Sequence, residues 1–295
     1  MNSRGITGLA LLSATGVLAS AGPASANVTA TFSNPTPITI NDAVTSGVAV
    51  PASPSPSIVS VGALPAKAGT RPTVSVTLHG VTHTSPADLV VTLDGGLGSG
   101  VLLENAGGVT TPVSNATLTF GLGGPQIPFA GPMVSGAFTP SRYTFGGAPI
   151  FSTALLRYTP GVGRLYVADN DPGDTGVIAG GFSADVTYVP ENAFTLGGAS
   201  VNKKKGTATL KVTVPDPGVI ALKATKTVKG ATVNAPAAGT YVVPVKAAGK
   251  SLKKLKRKHK FAINAAVDFT PTGGTAARQS KTFTLKLKKK KHKKH

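Results

Sequence analysis

Three carboxylates lie within a short, turn-rich segment of the sequence, LYVADNDPGDTGVIAG at residues 165–180. Calcium binds about six to eight oxygen ligands, and a turn that presents several carboxylates and backbone carbonyls supplies them. Asp169, Asp171 and Asp174 are therefore the predicted metal ligands, with calcium as the metal. The same residue types also build an ordinary turn in which Asp side chains accept hydrogen bonds from nearby amides, and the sequence leaves this alternative open. A catalytic acid–base pair is not expected, because no nucleophile or pocket motif accompanies the carboxylates.

Lysines provide a second kind of chemistry, the binding of anions. They are concentrated in two runs, SLKKLKRKHK at residues 251–260 and LKLKKKKHKKH at residues 285–295. Positive charge at this density binds anionic polymers by releasing their counterions, although a charge run is also typical of a solvated surface that only keeps a protein soluble. The predicted anion-contacting residues are Lys253, Lys254, Lys256, Arg257, Lys258, Lys288, Lys289, Lys290 and Lys291.

Other reactive patterns in the sequence are weak. His79 and His83 lie four positions apart, which on a strand places both on one face but about 13 Å from each other, too far to share a metal ion. His83 is therefore expected to be structural. The sequence has neither a G-x-S-x-G nucleophile elbow nor an H-E-x-x-H zinc motif, and GGLGSG at residues 95–100 lacks the lysine and helix of a phosphate loop. We predict no catalytic residue and no enzyme activity.

Composition excludes further classes of function. The chain contains no Cys, which rules out disulfides, thiolate zinc sites and cysteine nucleophiles together. It also contains no Trp, with five Tyr and eleven Phe, and most Phe fall at inward strand positions. The aromatic platform that sugar recognition usually needs is therefore weak, and a carbohydrate-binding module is kept only as an alternative.

Charge divides the chain into two unequal parts. Residues 27–200 carry five Lys and Arg against nine Asp and Glu, whereas residues 201–295 carry twenty-four against two. The net charges of −4 and +22 put a strong positive field on the C-terminal part alone. We expect its partner to be an anionic cell-wall polymer or another envelope component. Nucleic acid is expected to bind only non-specifically, because the lysine runs lack interleaved aromatic residues.

The first residues predict export. Residues 1–26 combine Arg4, an apolar stretch and the cleavage pattern Ala24-Ser25-Ala26, which is typical of a secretory signal peptide. No later segment has the ~20 consecutive apolar residues of a membrane-spanning helix, so we expect no transmembrane segment in the mature chain. The predicted location is extracellular, with the secreted protein associated with the cell surface.

The elements that must position these residues are strands. Thirty-six Gly and twenty-three Pro would break most helices, whereas alternating apolar and polar residues recur in short runs such as PTVSVTLHG, GTATLKVTVPDPG and KFAINAAVDFTPTGG. The predicted fold class is all-β, with two β-sandwich domains. The predicted boundaries are a signal peptide at 1–26, a jelly roll at 27–190, a linker at 191–200, a Lys-rich sandwich at 201–288 and a basic tail at 289–295.

Four segments of residues 30–189, in the same order, resemble the P domain, or homo B domain, of subtilisin-like proprotein convertases and secreted bacterial proteases. HTSPADLVVTLDGGLGSGVLL is similar to the family's His-Thr-x-x-x-Asp-Leu strand through His83, Thr84, Asp88 and Leu89. LYVADNDPGDTGVIAGGFSADV is similar to its Leu-x-Val-x-Asp strand and acidic turn, and GAFTP and ITINDAVTSGVAV are similar to two further segments. The resemblance implies an eight-stranded jelly roll that often carries calcium and holds no catalytic triad.

The C-terminal part resembles the Lys-rich immunoglobulin-like or fibronectin-like modules at the ends of exported bacterial proteins, through KKKGTATLKVTVPDPG, TYVVPVKAAG and FTPTGG. This resemblance implies a spacer or an envelope-associated module. We therefore expect a secreted, non-catalytic binding or structural protein whose P-domain-like module is held at an anionic cell envelope by a cationic β-sandwich. A second hypothesis is an accessory or regulatory partner of a separate secreted subtilisin-like serine protease.

Overall fold

A computed structural model describes residues 27–150 and 154–289. These residues form strands in four sheets, with a single α-helix among them. The predicted all-β fold class is confirmed. The predicted signal peptide and the residues Lys290 and Lys291 of the basic tail lie outside the described residues. No helix in the described ranges is both long and apolar enough to cross a membrane.

Among the described residues before residue 190 there are fourteen strands, with a 3-10 turn at Pro86–Asp88 between two of them. In chain order they are β1 (Val28–Asn34), β2 (Ile38–Ile40), β3 (Val50–Pro51), β4 (Ser57–Val61), β5 (Thr73–His83), β6 (Leu89–Gly95), β7 (Gly98–Glu104), β8 (Val113–Phe120), β9 (Gly136–Phe138), β10 (Ser141–Arg142), β11 (Leu155–Leu156), β12 (Gly161–Asp169), β13 (Gly176–Ile178) and β14 (Phe182–Tyr188).

These strands form two sheets, which we call the N-terminal sheets. One has the order β1-β14-β5-β13-β2, with β8 beside β5 and β9 beside β8. The other has the order β10-β7-β6-β12-β3, with β4 also beside β12 and β11 beside β7. Buried residues of both sheets, including Val76, Phe182, Leu93 and Leu165, belong to one hydrophobic cluster. The two sheets therefore face each other across a shared core, as in a β-sandwich.

Strand β5 shows how alternation and its interruption place side chains. Val74, Val76 and Leu78 are buried, as their spacing predicts. The expectation that His79 and His83 share a face is wrong. The pairing of β5 with β8 shifts register between Leu78 and Val81, and Gly80 at φ +72° allows the backbone to make this bulge. His79 keeps the face opposite to Leu78, where its Nε2 lies 2.8 Å from the Ser183 hydroxyl, whereas the extra residue turns His83 into the core.

Between residue 190 and residue 289, the last that the structure describes, lie eight strands and the helix. They are β15 (Thr195–Asn202), β16 (Thr207–Val214), β17 (Gly218–Leu222), β18 (Val228–Lys229), β19 (Ala231–Ala235), β20 (Gly239–Ala247), α1 (Gly249–Lys258), β21 (Lys260–Pro271) and β22 (Ala277–Lys286). The strands form two sheets, β15-β16-β20-β18 and β19-β17-β21-β22, which we call the C-terminal sheets. A second hydrophobic cluster contains buried residues of both, including Leu210, Val245, Ile220 and Phe269.

The predicted linker at 191–200 is too long. Residues 195–200 belong to β15, which pairs with β16 from Thr195 to Asn202. Consecutive glycines such as Gly197 and Gly198 are typical of a linker. In the structure, however, they lie where the pairing of β15 with β16 shifts register, between Leu196 and Ala199, and a strand accommodates a bulge at such a point. The C-terminal sheets therefore begin before the predicted boundary at residue 201.

Candidate functional site

The segment between β12 and β13, residues 170–175, connects the two N-terminal sheets; together with Asp169 we call it the acidic turn. Strand β12 ends at Asp169 in one sheet, and β13 begins at Gly176 in the other. The backbone amide of Asn170 donates to the carbonyl of Asp88 at 3.0 Å, and the amide of Gly47 donates to the carbonyl of Asn170 at 2.8 Å. Tight backbone bonding of this kind fixes the turn at one end of the sandwich.

Asp169 points into the core and pairs with His83. The His83 Nε2 lies 3.1 Å from Asp169 Oδ2, and both side chains have 0% exposure. The other carboxylate oxygen, Oδ1, accepts a 3.0 Å bond from the amide of Asp171, and the His83 Nδ1 lies 2.9 Å from the carbonyl of Ser85. Burial raises the pKa of the Asp169 carboxyl above its ordinary value, although the Asp171 amide and His83 oppose the rise. This pair cross-links β12 to the end of β5.

The remaining carboxylates lie closer to the surface. Asp174 Oδ1 accepts a 2.7 Å bond from the Thr84 hydroxyl. Asp42 Oδ1 accepts bonds from the amides of Gly173 and Asp174 at 2.8 and 3.2 Å. Burial raises the pKa of the Asp88 carboxyl above its ordinary value; the Ser85 side chain opposes the rise, and the nearby carboxylates of Asp174 and Asp171 add to it. These contacts are those of a turn in which Asp side chains satisfy nearby donors.

The predicted calcium ligands therefore have different surroundings. Both oxygens of Asp169 are occupied by protein donors, whereas Asp174 faces Thr84. Within residues 27–150 and 154–289, no three His, Cys, Asp or Glu side chains form a group suited to a metal ion. The turn alternative accounts for the observed bonds without a cation. The calcium site at Asp169, Asp171 and Asp174 stays a prediction.

Lysines converge at one end of the C-terminal sheets. Three chain segments meet there: the turn between β15 and β16, the junction of α1 with β21, and the residues at the end of β22. They surround a depression of about 640 Å³, which we call the basic cleft. Its lining residues are Lys203, Lys204, Lys258, His259, Lys260, Lys286, Leu287, Lys288 and Lys289.

Backbone hydrogen bonds hold these three segments together. The amide of Leu287 donates to the carbonyl of His259 at 2.8 Å, and the amide of Lys288 donates to the carbonyl of Lys203 at 2.7 Å. The Asn202 side chain accepts from the amides of Lys204 and Lys205, each at 3.0 Å. The lysines therefore project from a backbone that is fixed before any ligand binds.

Apolar packing supports the cleft from below. Gly206 has φ +69°, and a Cβ there would lie 3.2 Å from the side chains of Leu255 and Leu287. Leu255 anchors α1 to the core with 1% exposure, and the residue that follows the helix, His259, has the left-handed φ of 57°. The His259 Nδ1 atom is buried, and it has no hydrogen-bond partner among the described residues. Such an atom is uncommon in a folded protein, where nearly all buried polar groups have a hydrogen-bond partner.

Only part of the predicted anion-contacting set lines the cleft. Lys258, Lys288 and Lys289 do so. The other predicted residues in the described ranges are exposed along α1, where the Lys254 Nζ lies 5.6 Å from the centre of the Phe261 ring. These residues are Lys253, Lys254, Lys256 and Arg257. Sequence reasoning missed Lys203, Lys204, Lys260 and Lys286, although the KKK run at residues 203–205 was a visible signal.

A second depression of about 770 Å³ continues the positive surface. It shares Lys203 and Lys204 with the basic cleft and adds Lys205 and Lys246.

Comparison with protein-family models, curated proteins and solved structures found no match to this chain. The geometry and charge of the protein are the observations that bear on its function.

Proposed function

We propose that this is an exported, non-catalytic binding protein, and that its C-terminal sheets hold it at an anionic cell envelope. The observation that supports this proposal is the gathering of seven lysines from three chain segments around one cleft. Lysines at such density repel one another, and an anionic ligand relieves this repulsion while releasing its own counterions. The N-terminal sheets lie within residues 27–200, a part of the chain with a net charge of −4, and they are then the part presented at the envelope.

The acidic residues of the C-terminal part leave the basic cleft free. Only Asp216 and Asp268 occur after residue 200. Asp268 already pairs with Arg278, whose Nη2 donates to Oδ2 at 2.9 Å, and it lies 3.4 Å from the Lys223 Nζ. Neither carboxylate lines the cleft. Among the residues that the structure describes, no ion pair therefore neutralises the cleft lysines, and their charge is available to an external partner.

The experiment that tests this function is co-sedimentation of the chain from residue 27 with lipid vesicles. Vesicles of phosphatidylglycerol present phosphate charge, whereas vesicles of phosphatidylcholine have no net charge. We expect binding to the anionic vesicles at about 50 mM salt and release at about 500 mM, because screening weakens exposed charge interactions. Retention that does not depend on salt, or equal binding to both vesicles, would contradict the proposal. In that case the protease-partner hypothesis becomes the one to test.

A further inference from the structure

We infer that the basic cleft recognises ligands that carry several phosphate groups, in preference to carboxylate polymers. This inference rests on the proposed function and names the ligand chemistry of the same surface. It follows from the types of cation in the cleft, from their arrangement and from the walls between them.

The cations of the cleft suit phosphate better than carboxylate. The cleft residues that the structure describes include seven Lys and no Arg. Arg has a planar fork that matches two oxygens of a carboxylate or of a phosphate, whereas Lys is a compact point charge with three donors that commonly binds phosphate and provides no such fork for a carboxylate. The lysines come from three segments that meet at the cleft, so they approach a bound group from several sides. A tetrahedral phosphate offers oxygens in several directions, and a planar carboxylate does not.

The dimensions and walls of the cleft indicate more than one phosphate. A depression of about 640 Å³ is the size of a site for an extended ligand rather than for one small ion. The methylene stems of the lysines and the Leu287 side chain give the walls apolar surface. Such walls accommodate the carbon chain that links the phosphates of an organic phosphodiester. Aromatic rings for stacking bases do not line the cleft, apart from the His259 imidazole, so nucleic acid is not favoured.

Two variants with equal loss of charge separate the cleft from the general positive field. The cleft variant combines four substitutions of lining residues, which are Lys203→Gln, Lys204→Gln, Lys258→Gln and Lys286→Gln. The control variant combines four substitutions of exposed lysines elsewhere in the C-terminal part, which are Lys211→Gln, Lys226→Gln, Lys229→Gln and Lys250→Gln. Thermal unfolding by circular dichroism checks that each variant is folded, and variants with only two of the four substitutions replace any that is not.

Calorimetric titration at about 150 mM salt then measures binding of inorganic polyphosphate, polyglutamate and oligothymidine of matched charge. We expect the cleft variant to bind polyphosphate at least about tenfold more weakly than wild type, and the control variant to stay within about threefold. We also expect polyglutamate to bind wild type about tenfold more weakly than polyphosphate. The inference would be overturned if both variants lost the same affinity for polyphosphate. It would also be overturned if wild type bound polyglutamate as tightly as polyphosphate, or bound oligothymidine more tightly than polyphosphate.

Two further arms distinguish the ligand source and the failure of the underlying proposal. If soluble polyphosphate releases the chain from phosphatidylglycerol vesicles, the cleft serves both polymer and lipid phosphates. Failure of that competition would overturn a shared phosphate site. If both variants lose the same affinity for polyphosphate while wild type still binds the anionic vesicles, only the inference about the cleft is wrong. Absence of any binding of wild type to anionic vesicles at about 50 mM salt removes the proposed function as well.

Discussion

The buried pair of His83 and Asp169 yields the sharpest prediction about stability. Asp169 accepts one bond from the His83 ring and one from the Asp171 amide, and both side chains of the pair have 0% exposure. Replacing Asp169 by Ala removes both acceptors and leaves the His83 Nε2 without its partner in the core. The Asp169→Ala variant is therefore expected to be strongly destabilised.

The magnitude follows from the number and burial of these bonds. A hydrogen bond to a charged group contributes about 1.5–3 kcal/mol, and removing one partner of a buried pair costs about 3–5 kcal/mol. For a cooperative unit of this size, each kcal/mol lowers the Tm by about 2–4 °C. We expect Asp169→Ala to lose about 3–5 kcal/mol and roughly 10 °C in Tm. Asp169→Asn keeps an acceptor for the Asp171 amide, so its loss is expected to be about 1–2 kcal/mol.

Thermal and urea unfolding of the chain from residue 27, followed by circular dichroism at neutral pH, measures these differences. Asp171→Ala is the matched control, because Asp171 contributes its backbone amide rather than its side chain to the pair. The control is expected to stay within about 0.5 kcal/mol of wild type. A Tm of Asp169→Ala within about 2 °C of wild type would refute the reasoning that this pair holds β12 to β5.

Two other predictions follow from buried residues of the C-terminal part. Leu255→Ala is expected to cost about 2–5 kcal/mol in urea unfolding, because Leu255 is 1% exposed and anchors α1; an unchanged unfolding midpoint would contradict the docking of the helix. Burial raises the pKa of the Asp216 carboxyl, the Glu191 charge adds to the rise and the Glu191 amide opposes it. A raised pKa favours folding at acid pH, and that stability is lost as pH rises through the folded pKa. Asp216→Asn is therefore expected to be more stable than wild type at pH 7. The gain in stability is expected to shrink as the pH falls toward 3.8, the ordinary pKa of an Asp carboxyl. A gain that stays constant over pH 4–7 in thermal unfolding would exclude this linkage.

Strand faces are the part of the fold that the sequence predicts best. Ala208, Leu210, Val212 and Val214 alternate with polar residues in the sequence, and all four are buried in β16. The prediction succeeds because successive side chains in a strand point to opposite faces, so the alternation of apolar and polar residues indicates which side chains are buried. Bulges break that relation. The Gly80 bulge in β5 moves His83 to the opposite face from His79, and the alternation of residues alone does not reveal it.

The helix and the cleft show a different limit of sequence reasoning. Helix α1 has only Leu252 and Leu255 as apolar residues among its lysines, so its periodicity is hidden in a segment that looks like a solvated charge run. Its stability comes from docking on the core, since short isolated helices are marginal in water. The cleft depends on pairings between distant segments, such as Lys203 with Lys288, and these pairings are set by the tertiary structure. The positive charge of the C-terminal part, in contrast, is visible from composition alone.

We propose above that the lysines of the C-terminal sheets hold this protein on an anionic surface. The most direct measurement is the slope of log binding constant against log salt concentration on phosphatidylglycerol vesicles, for wild type and for the cleft variant. We expect a steep negative slope for wild type and a shallower slope for the variant, with a difference of up to about one for each lysine removed. A wild-type slope near zero, or identical slopes for the two proteins, would contradict it.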